Sequence, residues 1–221
     1  MHEALKNQTQ DESLVRARRR QIFLAACRVL ARKSFHEATV KEIALEAGIA
    51  AGSIYLYLQS KDDILALLGE SMVAELNEAL PGIRERTGGD PRSELLEVMR
   101  AILDVIDRYR AAFTVLHHEL RYLARNPNYR ATFERVREEY TGVVADVLER
   151  GRRAGLIHFE DLRSVVEAVH MLCAGWAMGA GLLGNTSKET FWREIARIVQ
   201  GQFFEPGLND SAAPGARGAR T

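Results

Sequence analysis

Residues Thr39–Leu65 read TVKEIALEAGIAAGSIYLYLQSKDDIL, and they decide the fold. Val40, Ile43, Ala44 and Ala47 recur at helical spacing behind Thr39, a residue type suited to an N-cap. Gly48 stops that helix, and a third helix is expected to begin near Ala50. Two helices joined by so short a glycine-containing turn have the spacing of a helix-turn-helix. Where such helices cross, the first needs a small residue, and Ala44 supplies it. Gly48 can adopt the left-handed backbone of the turn without a Cβ penalty. Ile43, Ala47, Ile49 and Ile54 then form the shared apolar seam.

The composition of the second helix follows from what a recognition helix must do. Its N-terminal end meets base edges in the major groove, and here that end is Ala50, Ala51, Gly52 and Ser53. Small side chains permit close backbone approach, Ser53 can donate to a base or a phosphate, and the alanines can touch thymine methyls. Tyr55 and Tyr57 carry hydroxyls on rigid rings, suited to phosphate contacts that set register. Lys61 places a cation where the next helix begins. An ordinary αα corner with tyrosines in the core is the competing reading. It leaves unexplained Gly52, which destabilises a helix interior by about 0.8–1.0 kcal/mol relative to alanine.

Charge is distributed to match. From Leu14 to Lys61 nine cations accompany three anions, a net +6, while the remainder carries −6 and the whole chain sums to zero. A basic head on an acidic body suits a polyanion-binding module joined to a second function. For the arginine run alone, a solvated charged face is the alternative. With 221 residues, 47% hydrophobic and 27% charged, the composition is that of a globular protein with a real core. Cys27 and Cys173 stand far apart with no CxxC, which suits a reducing cytoplasm rather than a disulfide framework. The first twenty residues lack the apolar core of a secretory signal, and the apolar run from Glu167 to Asn185 includes His170 and falls short of a membrane span.

The rest of the chain is helical in period, which makes the fold all-α with about nine helices. Ile22, Ala25, Ala26, Val29 and Leu30 mark a first helix after Leu14. A fourth opens at Asp62-Asp63 and should end at Pro81-Gly82. Further helices are expected at about 91–108, 111–124, 129–154 and, capped by Asp161, on to about Leu183. Thr186–Glu189 reads as a capping box for a last helix ending near Phe204. The expected domains are 14–62 for the helix-turn-helix, 63–205 for ligand binding and dimerisation, and 206–221 for a disordered tail.

Residues 16–65, with IFLAA, ATVKEIALEAG, GSIYLYL and SKDDIL, resemble the DNA-binding head of the TetR (tetracycline-repressor-like) family of bacterial regulators. The resemblance implies operator-contacting roles for Thr39, Lys41, Ala51, Gly52, Ser53, Tyr55, Tyr57 and Lys61. It also implies a homodimer on a palindromic operator and an effector pocket in the C-terminal body. The head is most similar to the branch that regulates fatty-acid and acyl-CoA metabolism. Two positions depart from the family pattern. Ser34 stands where a glycine usually ends the first helix, suggesting a strained or differently shaped turn, and Leu58 replaces an aromatic.

In the body, AVHMLCAGWAMGAGLLG is apolar nearly all round, with Gly175 and Gly179 four residues apart. Small residues at that spacing admit a partner helix. Met171, Gly175, Gly179, Phe191, Ile195 and Ile198 are therefore the expected dimer interface. Tyr109, Phe113, His117, Arg121, Trp176 and Met178 are the candidate lining of an amphipathic effector pocket, with an apolar floor and a cationic rim. No metal or cofactor is expected, because His117-His118-Glu119 is not a metal-ligand spacing. The leading expectation is a ligand-responsive repressor, released from DNA by a small amphipathic effector such as an acyl-CoA, with no membrane partner. The alternatives are an efflux-type multidrug-responsive regulator, a helical metal-dependent enzyme, and a basic module on a membrane surface. No nucleophile–base set supports the enzyme, and nothing on a lipid surface needs Gly48 and Gly52.

Overall fold

The computed structural model describes the backbone of residues 2–179 and 187–201. Side chains are described from residue 12 onward, except at 120, 121, 123, 124, 128 and 133. Regular structure among the described residues is entirely helical, in eight α-helices and one 3-10 segment. They are α1 (His2–Leu30), α2 (Val40–Glu46), the 3-10 segment Ser53–Leu56, α3 (Asp63–Arg86), α4 (Pro91–Arg108), α5 (Arg110–Arg125), α6 (Pro127–Arg153), α7 (Leu162–Gly179) and α8 (Lys188–Val199). The all-α expectation holds, and α4 has the expected bounds.

Several local expectations change. α1 begins at His2, a dozen residues early, because Glu3, Ala4, Leu5, Lys6 and Gln8 are good helix formers that extend an already nucleated helix. α3 does not stop at Pro81 but runs through it to Arg86. Asn77, whose carbonyl loses its partner to the proline ring, lies on an exposed stretch where water can replace the bond. Buried Ile83 holds the final turn in place. The cap of α8 is Ser187, whose hydroxyl accepts from the Thr190 amide. Thr186 lies outside the described residues, as do the end expected near Leu183, the end near Phe204 and the tail. Asp161 caps α7 as expected, its carboxylate accepting from the Ser164 amide at 2.7 Å.

The helices pack into two compact units, one of Met1–Glu78 with Val105–Glu139, the other of Ala79–Asp104 with Tyr140–Thr221. In the first, Ile22, Phe23, Ala25 and Ala26 of α1 are completely buried, with Ile43, Ala44, Ile54, Leu58, Leu65 and Leu68 around them. Each large aliphatic side chain so buried contributes about 1.5–3 kcal/mol. Tyr109 meets Phe23 edge-on at 4.8 Å and donates its hydroxyl to Glu75 at 2.6 Å.

The second unit is built on Leu95, Val98, Met99 and Ile102 of α4, Val144, Val147 and Leu148 of α6, and Val165, Val169 and Cys173 of α7. Its buried charge, Glu94, is held bidentately by Arg150 at 2.7 and 2.9 Å, the geometry that best offsets desolvation of a carboxylate. After α6 the chain folds back so closely that a Cβ on Gly151 would lie 2.4 Å from Ile157 Cδ1. Only glycine fits there.

Candidate nucleic-acid interface

The helix-turn-helix is assembled by three local devices. Thr39 Oγ1 accepts from the Glu42 amide at 3.1 Å while Glu42 Oε2 accepts from the Thr39 amide at 2.9 Å, closing a capping box. Lys33 also pairs with Glu42, and this cation, followed by Thr39, holds the Glu42 carboxyl down at about 2. At the other end of α2, Gly48 takes φ +67°. Its amide donates to Leu45 O and the Ile49 amide to Ala44 O, both at 3.0 Å. This double bond pattern satisfies the last carbonyls and reverses the chain.

The third device corrects an expectation. The element expected as a helix from Ala50 is a 3-10 segment, Ser53–Leu56. Ser53 donates to Ala50 O at 2.9 Å, and Tyr57 and Leu58 both donate to Ile54 O. A segment this short, holding glycine, a β-branched residue and two tyrosines, lacks the propensity to sustain α-helix and tightens instead. The Ser34 turn is not strained either, since no described non-glycine residue has positive φ. Glu37 closes it by accepting from the Ser34 amide and hydroxyl at 3.1 and 2.8 Å.

Burial then sorts the residues into two faces. Val40, Ile43, Ala44, Ala47, Ile54 and Leu58 are buried. Thr39, Lys41, Ala50, Ala51, Gly52 and Tyr55 are exposed, and Ser53, Tyr57 and Lys61 are half-buried. All nine proposed contact residues thus lie off the core. Gly52 has an ordinary right-handed backbone, φ −72° and ψ −32°, and a Cβ there would meet nothing within 4 Å. The fold does not require this glycine. Leu56, 80% exposed between the two tyrosines, belongs to the same surface. A leucine gives no polar signal of a contact role, so its place on this surface is legible only from the fold.

Most of the basic run proves to be engaged by carboxylates of α2 and α3. Arg19 pairs with Glu70, Arg20 with Glu75, Arg28 and Arg32 with Glu46, and Lys33 with Glu42. For these side chains the charged-face reading is the better one, and exposed pairs of this kind contribute little stability. Lys41 is exposed and makes no ion pair among the described residues. Lys61 donates to His36 O at 2.9 Å with its amine 4.8 Å from the centroid of the Phe35 ring, so it braces the α1–α2 turn.

A polar clasp follows the recognition segment. Asp63 Oδ2 accepts from the Gln59 and Ser60 amides at 2.5 and 2.9 Å. The Tyr122 hydroxyl of α5 donates to Asp62 at 2.5 Å, and the Tyr129 hydroxyl of α6 meets Ser60 Oγ at 2.6 Å. Glu119 lies 3.3 Å from His36 Nε2. The contact with Asp62 raises the Tyr122 phenol and burial raises that of Tyr129, so both are neutral phenols. These pairs are some sixty or more residues apart in sequence, and no local pattern announces them.

The candidate effector residues divide between the units. Tyr109, Phe113 and His117 belong to the first, where Tyr109 and Phe113 are buried and the Phe113 and His117 rings lie 4.0 Å apart. The Arg121 side chain lies outside the described residues. Trp176 and Met178 belong to the second and face opposite ways, Trp176 buried near Phe191 at 6.2 Å between ring centroids and Met178 43% exposed. Among the expected dimer residues, Met171, Gly175 and Ile198 are exposed, and Gly179 and Phe191 are half-buried. Ile195 is only 4% exposed and faces inward. Met178 extends the exposed α7 stripe of Ala168, Met171 and Gly175.

Two family models match the chain. One, described as bacterial regulatory proteins of the tetR family, covers residues 22–68. The other, the tetracyclin repressor-like C-terminal domain, covers residues 88–198. The HTH-type transcriptional regulator HbdR of Aromatoleum sp. (strain CIB) is 30% identical over 55% of this chain, a match spanning about half (52%) of that protein. The fatty acid metabolism regulator protein of Bacillus subtilis is 30% identical over 62% of this chain and 69% of its own length. The crystal structure of FadR from Bacillus subtilis in complex with stearoyl-CoA superposes with a TM-score of 0.64 at 22% identity. That superposition covers 81% of this chain and 96% of the other.

Proposed function

The chain belongs to the TetR family of bacterial regulatory proteins, and from that premise we propose that it is a homodimeric repressor that leaves a palindromic operator when an acyl-CoA binds its C-terminal part. The observation that carries the DNA-binding half is the sorting of faces. All nine candidate contact residues, from Thr39 to Lys61, lie off the buried seam, and an exposed glycine that the fold does not need sits among them. Residues 14–62 are assigned to operator binding and 63–205 to effector binding and dimerisation. The exposed α7 stripe with Ile198 supports a subunit interface, since Met171, Met178 and Ile198 leave apolar side chains uncovered beside the small residues Ala168 and Gly175. The protein acts by binding rather than catalysis. It works in the cytoplasm, where its two free thiols stay reduced, and no helix among the described residues is long and apolar enough to cross a membrane.

Release requires the effector to bind the DNA-incompetent state more tightly, since equal affinity shifts nothing. The named function of the Bacillus relative supports a fatty-acid derivative. The rival efflux-type reading asks for a lipophilic cation and a carboxylate to receive it, but Glu119 already faces His36, and Glu75, which accepts from Tyr109, is already paired with Arg108.

The test is fluorescence anisotropy of the protein on the promoter upstream of its own gene. Acyl-CoAs of increasing chain length are titrated beside lipophilic cations. Burial contributes about 0.8 kcal/mol per CH₂, so the releasing concentration should fall about fourfold per added carbon until the cavity is full. Release by cations alone overturns the effector assignment, and no binding to any promoter fragment overturns the repressor.

A further inference from the structure

We propose that the Tyr140 hydroxyl, in the second unit between α6 and α7, is the hydrogen-bond donor that receives the uncharged carbonyl oxygen of the effector's acyl thioester. This rests on the acyl-CoA reading above and deepens it. The hydroxyl oxygen is buried and has no hydrogen-bond partner among the described residues. Burying a hydroxyl unpaired is destabilising, and phenylalanine would fill the same space without that penalty. A tyrosine kept there needs a partner that the protein does not itself provide.

The surroundings define the chemistry of that partner. The ring packs edge-on against His170 of α7, centroids 5.1 Å apart. One turn beyond His170 is buried Cys173, whose sulfur lies 4.0 Å from the Met99 carbonyl of α4. Val144, one turn along α6, and Val169, next to His170 in α7, are buried aliphatic side chains. Burial raises the phenol well above its ordinary value and lowers the imidazole, so neither carries charge at neutral pH.

The guanidiniums described in the unit's part-buried interior are committed elsewhere, Arg92 donating to Leu156 O at 2.7 Å. Arg150 is clamped to Glu94, and it stands ten residues along α6, about 15 Å by helix rise. A carboxylate or phosphate brought to Tyr140 would lose its hydration, and Arg150, clamped and distant, is not placed to receive it. A neutral acceptor on an otherwise apolar chain meets the phenol O–H, an uncharged imidazole and aliphatic side chains. An acyl thioester has that form, with its charged nucleotide held at a different place.

Palmitoyl-CoA and S-hexadecyl-CoA, the thioether that lacks the carbonyl, are the probes, with operator release by anisotropy as the readout. Wild type should require about three- to tenfold more thioether than thioester, the worth of one net hydrogen bond. Tyr140→Phe should lose that discrimination, needing three- to tenfold more thioester and an unchanged amount of thioether. Its thermal midpoint without ligand should be equal to wild type or higher. Equal thioester sensitivity in wild type and variant overturns the assignment of Tyr140 while leaving acyl-CoA as effector. Failure of palmitoyl-CoA to release wild type overturns the effector reading and this proposal with it.

Discussion

Replacing Gly52 with leucine separates what the head needs to fold from what it needs to bind. The backbone there, φ −72° and ψ −32°, is one that any L-residue adopts, and a built Cβ has no neighbour within 4 Å. The fold therefore loses nothing, and the unfolded chain loses conformational freedom. By that effect a non-glycine residue stabilises by about 0.4–1 kcal/mol. In a chain of this size this raises the thermal midpoint by about 1–4 °C. Operator binding should move the other way. The added side chain projects from the surface that carries Ala50, Ala51 and Tyr55, where close approach to base edges has to occur. Losing even one base contact costs about 1–3 kcal/mol, about five- to 150-fold in affinity. A leucine that holds the backbone off the groove loses several. Gly52→Ala should fall between, with the stability gain and a smaller binding loss. The assay is a thermal melt of each variant beside anisotropy on operator and on random duplex. A Gly52→Leu protein that binds operator with wild-type affinity, or that melts well below wild type, would refute the reasoning.

Other outcomes follow from the same geometry. The Glu42 carboxyl is lowered from 4.5 to about 2 by Lys33 and Thr39. Its contribution is therefore present above about pH 4.5 and lost as pH falls toward 2. Glu42→Gln should lose less thermal stability than wild type over that range, and identical acid slopes would contradict the assignment. Arg150→Met strands the buried Glu94 carboxylate and should cost about 3 kcal/mol in urea unfolding. Glu94→Met with Arg150→Met should recover most of that, and a double variant no better than the single would show that the pair is not what holds α4 to α6. Gly175→Trp places a large ring on the exposed α7 stripe and should yield monomers in sedimentation, whereas an unchanged dimer moves the interface elsewhere. Tyr55→Phe or Lys41→Ala should weaken operator and random duplex alike and reduce the salt slope. A changed sequence preference would make either residue a base reader instead.

The sequence by itself determined whatever depends on near neighbours. Thr39 ahead of an apolar helical run predicts an N-cap, and Gly48 after that run predicts a left-handed turn. Both form, because a cap is decided within one turn of backbone. The helical period of Ile22, Ala25, Ala26 and Val29 identified a face that is indeed buried. The family resemblance was legible for the same reason, since the helix-turn-helix is a local motif of some fifty residues. Tertiary structure decided the rest. Whether Pro81 ends α3 depended on solvent around Asn77 and on Ile83 being held in a core made by other helices. Which cations remain free depended on Glu46, Glu70 and Glu75 arriving from elsewhere in the fold. That the recognition element winds as 3-10 followed from weak local propensity, which leaves the winding to its packing between Gly48 and Leu58. The Tyr122–Asp62 and Ser60–Tyr129 clasp and the orphaned Tyr140 hydroxyl have no sequence signature at all. A hydrogen bond between residues sixty apart, or the lack of one, exists only once the chain has brought its helices together.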